Sequence, residues 1–139
     1  MMRNSTTTFL LLFLIAASVK AGNVESTLSV TDIIENIRVS MKTANSKDLT
    51  TYMSDMVEIQ LPDQDRNNYS KTQAEFVMRD FMKKYAPTDF RYIHKVLEKD
   101  DFKFTIGEYV YADGIMRVTM VIKPVNGKYL IDSIVIERK

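Results

Sequence analysis

Residues 102–137 read FKFTIGEYVYADGIMRVTMVIKPVNGKYLIDSIVIE, and their apolar runs and turns indicate the fold class. Two dipeptides in this stretch, Asp113-Gly114 and Asn126-Gly127, are turn signals because these residue types tolerate the positive φ angles of tight hairpins. Asp100-Asp101 is a weaker turn just upstream. The sequence therefore predicts four consecutive antiparallel strands, a meander, at residues 90–98, 103–112, 115–123 and 128–138.

Two helices and a short strand are predicted at the start of the domain. Residues 29–45, SVTDIIENIRVSMKTAN, have the apolar spacing of one helical face, and Ser29 and Asp32 have the spacing of a capping box. Asn45-Ser46 breaks this helix and caps a shorter second one. Residues 57–61, VEIQL, alternate apolar and polar side chains and predict a half-buried strand, which a polar loop at residues 62–68 follows.

The most complete helix signal is YSKTQAEFVMRDFMKKYAP, residues 69–87. Ser70 is a natural N-cap with Gln73 three residues later, Pro87 ends the helix, and one apolar stripe follows the helical repeat. Two ion pairs are expected on its solvated side: Glu75 with Arg79, and Asp80 with Lys84. The order of elements predicts an α+β domain, in which three N-terminal helices and a short strand pack on the four-stranded sheet.

Residues 1–21 have the pattern of a secretory signal peptide. Arg3 precedes an apolar run, residues 9–19, that is too short to span a bilayer, and Val19-Lys20-Ala21 places small residues at the −3 and −1 positions of a cleavage site. We therefore expect an exported protein, periplasmic or extracellular, with no membrane span after cleavage. Residues 22–139 are expected to form one domain.

The composition argues against several classes of function. Removal of Arg3 and Lys20 with residues 1–21 leaves 17 basic against 18 acidic residues, and this near-neutral balance gives no electrostatic case for nucleic acid. The chain has no Cys, which excludes disulfides, thiol catalysis and thiolate metal sites. Because it also has a single His and no clustered acids, no metal site is expected, and no motif indicates a cofactor.

Alternation along the meander assigns side chains to two faces. Two-residue turns predict that Tyr109 opposes Val118, that Val118 opposes Val135, and that His94 opposes Gly107. The face that the helices cover is expected to be mostly apolar and aromatic: Phe90, Tyr92, His94, Val96, Tyr109, Tyr111, Met116, Val118, Met120, Ile122, Tyr129, Ile131, Ser133 and Val135. The opposite face mixes charged with aliphatic side chains: Arg91, Ile93, Lys95, Leu97, Phe104, Ile106, Glu108, Val110, Arg117, Thr119, Val121, Lys123, Asp132, Ile134 and Ile136. A bulge at Gly107 would exchange the faces on one side of it.

The mixed face is too apolar for a purely solvated sheet and too charged for a core. It suits the self-complementary surface of a homodimer, for which the candidate residues are Ile93, Phe104, Ile106, Thr119, Val121 and Ile134. An ordinary solvated face with scattered aliphatic residues is the alternative, and the sequence does not decide between the two.

Three stretches carry a resemblance to known proteins: residues 69–87, FKFTIGEYVYADGIMRVTMVI at 102–122, and YLIDSIVIE at 129–137. They resemble the nuclear transport factor 2-like superfamily, a cone-shaped α+β domain with helices packed into a curved sheet. More narrowly, they resemble a small family of uncharacterised secreted bacterial domains with that fold, over residues 27–138. The resemblance implies a curved four-stranded antiparallel meander, export and frequent dimerisation, but no particular reaction.

Enzymes of that superfamily typically place a carboxylate, tyrosines or a His–Asp pair inside the cone. His94 and Asp132 are predicted on opposite faces and about 14 Å apart, at about 4.8 Å per strand, so no such pair is expected here. The candidates for a pocket that holds a small apolar ligand are Tyr92, His94, Tyr109, Tyr111, Met116 and Ser133. Core aromatic residues with their hydroxyls at the rim are the more common arrangement of such side chains.

These observations leave three hypotheses for function. The first is an exported non-enzymatic domain that binds a small apolar ligand or a protein partner, as a homodimer. The second is a cofactor-independent lyase or isomerase that uses His94 and the tyrosines of the inner pocket. The third is a structural interaction module whose cone is filled by its own side chains.

Overall fold

A computed structural model describes residues 28–139, so the predicted signal peptide, residues 1–21, lies outside the described residues. Within this range the elements are α1 (Val30–Lys42), α2 (Ser46–Thr51), β1 (Met53–Gln60), β2 (Asn67–Ser70), α3 (Lys71–Lys84), β3 (Pro87–Lys99), β4 (Phe102–Tyr111), β5 (Gly114–Val125) and β6 (Lys128–Arg138). None of the helices found there is long and apolar enough to cross a bilayer.

Helices α1 and α3 begin where the sequence predicts, because each start is a complete capping box. The Ser29 hydroxyl accepts a hydrogen bond from the Asp32 N–H at 3.2 Å, and the Asp32 carboxylate accepts one from the Ser29 N–H. Ser70 and Gln73 form the same reciprocal pair at the start of α3. These caps satisfy backbone donors that a helix end leaves without intrahelical partners.

The two ion pairs predicted along α3 are wrong. Among the ion pairs between residues 28–139, neither Glu75 with Arg79 nor Asp80 with Lys84 occurs. The Arg79 guanidinium lies instead 4.4 Å from the centroid of the Phe76 ring, and Lys84 Nζ lies 5.2 Å from the centroid of the Tyr85 ring. Stacking on an aromatic ring competes with an exposed ion pair because such pairs contribute little in water.

Within residues 28–139 the sheet has six strands in the order β2-β1-β6-β5-β4-β3, which corrects the predicted four-stranded sheet. The short strand β1 does not pack on the meander but extends it, parallel to β6, and β2 pairs antiparallel with β1. Part of the predicted polar loop, Asn67-Asn68, therefore belongs to a strand. Its backbone groups pair with β1 whatever the polarity of the side chains, so side-chain alternation could not indicate it.

All three helices pack on one face of this sheet, which we call the inner face; the opposite face is the outer face. The apolar stripe of α1 buries Ile33, Ile34, Ile37 and Met41, and that of α3 buries Ala74, Met78, Phe81 and Met82. They join a core with the inner residues of the strands: Met53, Val57, Ile59, Phe90, Tyr109, Met116, Val118, Met120, Ile122, Ile131, Ile134 and Ile136. The predicted α+β arrangement of helices on a sheet is confirmed at this level.

The hairpin between β4 and β5 closes one residue earlier than predicted. Tyr111 pairs with Gly114, so the two loop residues are Ala112 and Asp113 rather than Asp113 and Gly114. Tyr109 consequently opposes Met116 instead of Val118. The register moves by two residues, and a shift of two leaves every side chain on its predicted face.

Strand β6 changes faces at Asp132. Ile122 pairs with Ile131 as predicted, but Val121 pairs with Ser133, so Asp132 is an extra residue on β6. Beyond this bulge the predicted faces of four residues are wrong: Ile134 and Ile136 enter the core, while Ser133 and Val135 lie on the outer face. Burying two isoleucines in place of a serine and a valine favours this register.

Strand β3 also departs from simple alternation, because its pairing with β4 shifts on both sides of His94. His94 therefore lies opposite Ile106, on the outer face, instead of opposite Gly107. Tyr92 takes the position opposite Gly107, and both His94 and Val96, which are predicted on the inner face, are exposed. As an edge strand with one neighbour, β3 tolerates such irregularities more easily than a central strand does.

Gly107 is required by the packing of Phe90. The pairing of β4 with β5 runs through Gly107 without a shift, so the bulge that the sequence allowed there does not form. The Phe90 ring fills the space above the glycine, and a Cβ at position 107 would lie 2.7 Å from Phe90 Cζ and 3.2 Å from the Arg91 carbonyl oxygen. A buried ring and the backbone beside it leave no free direction for a methyl group.

We expect Gly107→Ala to lower the free energy of unfolding by about 1–3 kcal/mol, since overpacking a filled core forces side chains and backbone to shift. Chemical denaturation measures this loss. Because Phe90 is the main obstacle, Phe90→Leu combined with Gly107→Ala should lose less stability than the sum of the two single changes. Strict additivity, or no loss in Gly107→Ala, would contradict this account of the packing.

Candidate functional site

Four of the six residues predicted to line an inner pocket lie together on the inner face. Tyr109 and Met116 face each other across β4 and β5 and are fully buried, while Tyr92 and Tyr111 are partly buried at the edges of the same cluster. Phe81 and Tyr85 of the α3 end pack against them, with ring centroids of Phe81 and Tyr109 5.3 Å apart. These aromatic side chains pack on one another as part of the core.

The phenol groups of the cluster are bonded to backbone. Tyr92 donates a hydrogen bond to the Ile34 carbonyl of α1 at 2.8 Å, and Tyr109 donates one to the Tyr85 carbonyl at the end of α3. Burial raises the pKa of both phenols, so both stay protonated and act as donors. Each phenol therefore ties a helix to the sheet, and its hydrogen is already in use.

The other two pocket candidates, His94 and Ser133, lie on the outer face. The sheet itself separates them from Tyr92 and Tyr109, so one small ligand cannot touch all six predicted residues. In residues 28–139 no group of three or more His, Cys, Asp or Glu side chains is placed to hold a metal ion.

Two open pockets formed by the described residues lie along α3. The larger, about 510 Å³, is a groove between the α1–α2 connection and α3, with Lys47, Glu75, Arg79 and Lys83 on its walls. The smaller, about 310 Å³, lies between the β1–β2 connection and α3 and is lined by apolar and aromatic side chains with polar groups among them: Leu61, Pro62, Gln64, Tyr69, Val77, Asp80, Phe81, Lys84 and Tyr85. Sequence reasoning missed both, because a groove between elements leaves no local pattern.

The outer face carries a second candidate surface, which we call the outer strip: Phe104, Ile106, Thr119, Val121 and Val135. Phe104 pairs with Val121 and Ile106 with Thr119, and Thr119 in turn pairs with Val135 on β6. All five side chains are partly exposed. Since the helices pack on the inner face, no layer made of residues 28–139 covers this strip.

Four of the six predicted dimer residues belong to the outer strip, and two do not. Ile134 is in the core, and Ile93 lies beside the β3 irregularity, with 46% of its surface exposed. Val135 is the member that the sequence analysis placed on the wrong face. The sequence did contain a signal of this change of face, since the polar pair Asp132-Ser133 interrupts two apolar runs and marks a break in alternation.

Charged groups border the outer strip. Glu108 is held by Lys139 at 3.0 Å and by Arg91 at 3.6 Å, and the hydrogen bond from Lys139, with the charge of Arg91, lowers the pKa of this carboxyl group. Lys123 and Asp132 form a second pair at 3.0 Å. The border thus presents both signs of charge, with Glu108 ionised at neutral pH.

A family profile described as a domain of unknown function, DUF4783, matches residues 34–137. The chain belongs to the DUF4783 family. Its solved relatives include DUF4783 proteins from Bacteroides ovatus, at 28% identity, and Bacteroides fragilis, at 26%. Each alignment covers 75% of this chain and 93% or 96% of the relative, with a TM-score of 0.69 in both cases.

The fold of this DUF4783 domain is nuclear transport factor 2-like. A protein with that fold and of unknown function, from Cytophaga hutchinsonii, superposes with a TM-score of 0.56 at 12% identity, covering 81% of this chain and 91% of that one. At such identity the likeness shows the fold alone. The expected resemblance to the fold of this superfamily, and to an uncharacterised family with that fold, is confirmed. No protein of curated function matches the sequence.

If the inner cluster of the DUF4783 domain is core, then Tyr92→Phe should lower the free energy of unfolding by about 1 kcal/mol, since it removes one hydrogen bond between α1 and the sheet. Tyr52→Phe is the matched control, because the Tyr52 phenol makes no hydrogen bond within the described residues and its loss should leave stability nearly unchanged. Thermal and chemical unfolding measure both. Equal stability of Tyr92→Phe and the unmodified protein would indicate a phenol that is free to meet a ligand.

Proposed function

We propose that this DUF4783 domain is an exported, non-enzymatic interaction domain that works as a homodimer, with the outer strip as the surface on which two copies meet. The observation that carries the proposal is the run of uncovered apolar side chains across β4, β5 and β6. Export rests on the signal-peptide pattern of residues 1–21.

The composition of the outer strip supports an interface. A sheet face that stays in water usually carries polar side chains at its outward positions. Here the outward positions at the centre of three adjacent strands hold Phe104, Ile106, Val121 and Val135, with Thr119 among them. An apolar centre inside a charged border is the usual anatomy of an interface between proteins.

The charges around the strip favour a second copy as the partner. In a two-fold dimer the same patch lies on both subunits, so a patch with both signs of charge can be complementary to itself. Glu108, Arg91 and Lys139 border one end of the strip, and the pair Lys123–Asp132 borders another. A partner with one sign of charge could match either the three basic or the two acidic groups, but not both.

The inner cone offers less support for a bound apolar ligand. Tyr109 and Met116 have no exposed surface, and the phenols of Tyr92 and Tyr109 are already bonded to helix carbonyls. A ligand at this position would have to displace core side chains. The third hypothesis, a cone filled by its own side chains, agrees better with this packing.

The enzyme alternative lacks the arrangement of side chains that it requires. A lyase or isomerase in the cone would need His94 beside the tyrosines, because a general acid or base must reach the reacting group directly or through one water. His94 pairs with Ile106 on the outer face, whereas Tyr92 and Tyr109 face the helices. No part of the described chain offers a second histidine to replace it.

We expect Val121→Lys to convert the dimer into a monomer, since it places an unpaired charge at the centre of an apolar interface. Val39→Lys makes the same substitution on the exposed side of α1, away from the sheet, and should leave the dimer intact. Light scattering on purified protein gives the mass, and circular dichroism checks that both variants are folded. The unmodified chain as a monomer at high concentration, or a dimeric Val121→Lys, would overturn the proposal.

A further inference from the structure

The groove between the α1–α2 connection and α3 has an unusual charge for this domain. Lys47, Arg79 and Lys83 line it together with one acid, Glu75, although residues 22–139 as a whole are nearly neutral. None of the three cations takes part in an ion pair between residues 28–139. Three free cations that converge on one concave space create a positive potential there.

Arg79 gives the groove a second and independent feature. Its Nε atom is shielded from solvent and has no hydrogen-bond acceptor among residues 28–139, although buried polar groups in proteins are nearly always bonded. The guanidinium is always charged and rests on the exposed ring of Phe76, 4.4 Å from its centroid. The arginine is thus held by a weak contact in a position that leaves one donor unused.

We propose that this groove binds a small anionic solute through a carboxylate or phosphate group. The Arg79 guanidinium turns from the Phe76 ring so that Nε and one terminal nitrogen donate a forked pair of hydrogen bonds to two oxygens of the anion. Lys47 and Lys83, which line the same groove, balance the remaining charge. Phosphate and carboxylate share this forked geometry.

The site is independent of the proposed dimer. The groove is formed by the helical layer on the inner side, and the outer strip lies on the opposite face of the sheet. Two copies that meet through the outer strip would each leave this groove open. Failure of one proposal therefore leaves the other unaffected.

The Arg79 Nε–H group can be observed directly by NMR. The full chain, expressed in 15N medium and purified, is titrated separately with inorganic phosphate and with succinate at fixed pH and ionic strength. We expect the Arg79 Nε–H resonance and the backbone amides of residues 43–47 to shift and to saturate, with phosphate, succinate or both. The Nε–H of Arg66, already bonded to Gln60, is the internal control and should not move.

Two matched variants distinguish a specific binding site from non-specific attraction of anions to positive charge. Arg79→Lys keeps the charge but loses the fork, and we expect at least a tenfold weaker Kd; Arg66→Gln removes a charge elsewhere and should leave the Kd unchanged. The spectra themselves report whether each variant is folded. Shifts that rise linearly and equally at Arg66 and Arg79 with both anions would mean an adventitious ion only and would overturn the proposal. An Arg79→Lys variant that binds as tightly as the unmodified chain would also overturn it.

Discussion

An extra residue at Asp132 turns the second half of β6 over, and both faces of the sheet depend on this bulge. It places Ile134 and Ile136 in the core and releases Ser133 and Val135 to the outer face. The parallel neighbour β1 follows the same arrangement, since Ile59 pairs with Ile134 in the core and Glu58 pairs with Ser133 outside. Without the bulge, either β5 or β1 would meet β6 with its apolar side chains on the wrong face.

The bulge has a different consequence for each face of the sheet. On the inner side, the helices close over a core that includes the tyrosine cluster, and the phenols of Tyr92 and Tyr109 serve to hold helix backbone to the sheet. On the outer side, Val135 completes an apolar strip with Thr119 and Val121 that nothing in residues 28–139 covers. Because Tyr109 and Met116 are buried in the core and the outer strip is uncovered, the surfaces of the domain are better candidates for function than the space around Tyr109.

Local rules predicted the parts of the fold that depend on local chemistry. Ser29 and Ser70 fix the starts of two helices because each cap is satisfied within four residues, and Asn126-Gly127 fixes the β5–β6 hairpin by its backbone preference. The faces of β4 and β5 follow from alternation, and the early turn at Ala112-Asp113 does no harm because it moves the register by two.

The other features depend on contacts between distant parts of the chain, which local rules do not predict. The position of His94 depends on irregular pairing along an edge strand, and the position of Ile134 depends on an inserted residue. A one-residue error at each place therefore assigned His94 to the inner pocket and Ile134 to the outer interface. The strand β2 forms through backbone pairing with β1. Arg79 is a candidate binding residue only because elements distant in sequence form a groove around it. Alternation carries no information about β2 or about the groove at Arg79, whereas the polar pair Asp132-Ser133 did mark the break before Ile134.

The central claim, that β6 turns over at Asp132 and thereby exposes an apolar strip for self-association, can be tested by thiol labelling, since the chain has no cysteine of its own. The measurement is the labelling rate of Val135→Cys as a function of protein concentration, with Ile134→Cys beside it. The account predicts that Val135→Cys labels rapidly when dilute and slowly when concentrated, while Ile134→Cys stays slow throughout. A Val135→Cys rate that ignores concentration would contradict the interface, and an Ile134→Cys that labels faster than Val135→Cys would contradict the bulge.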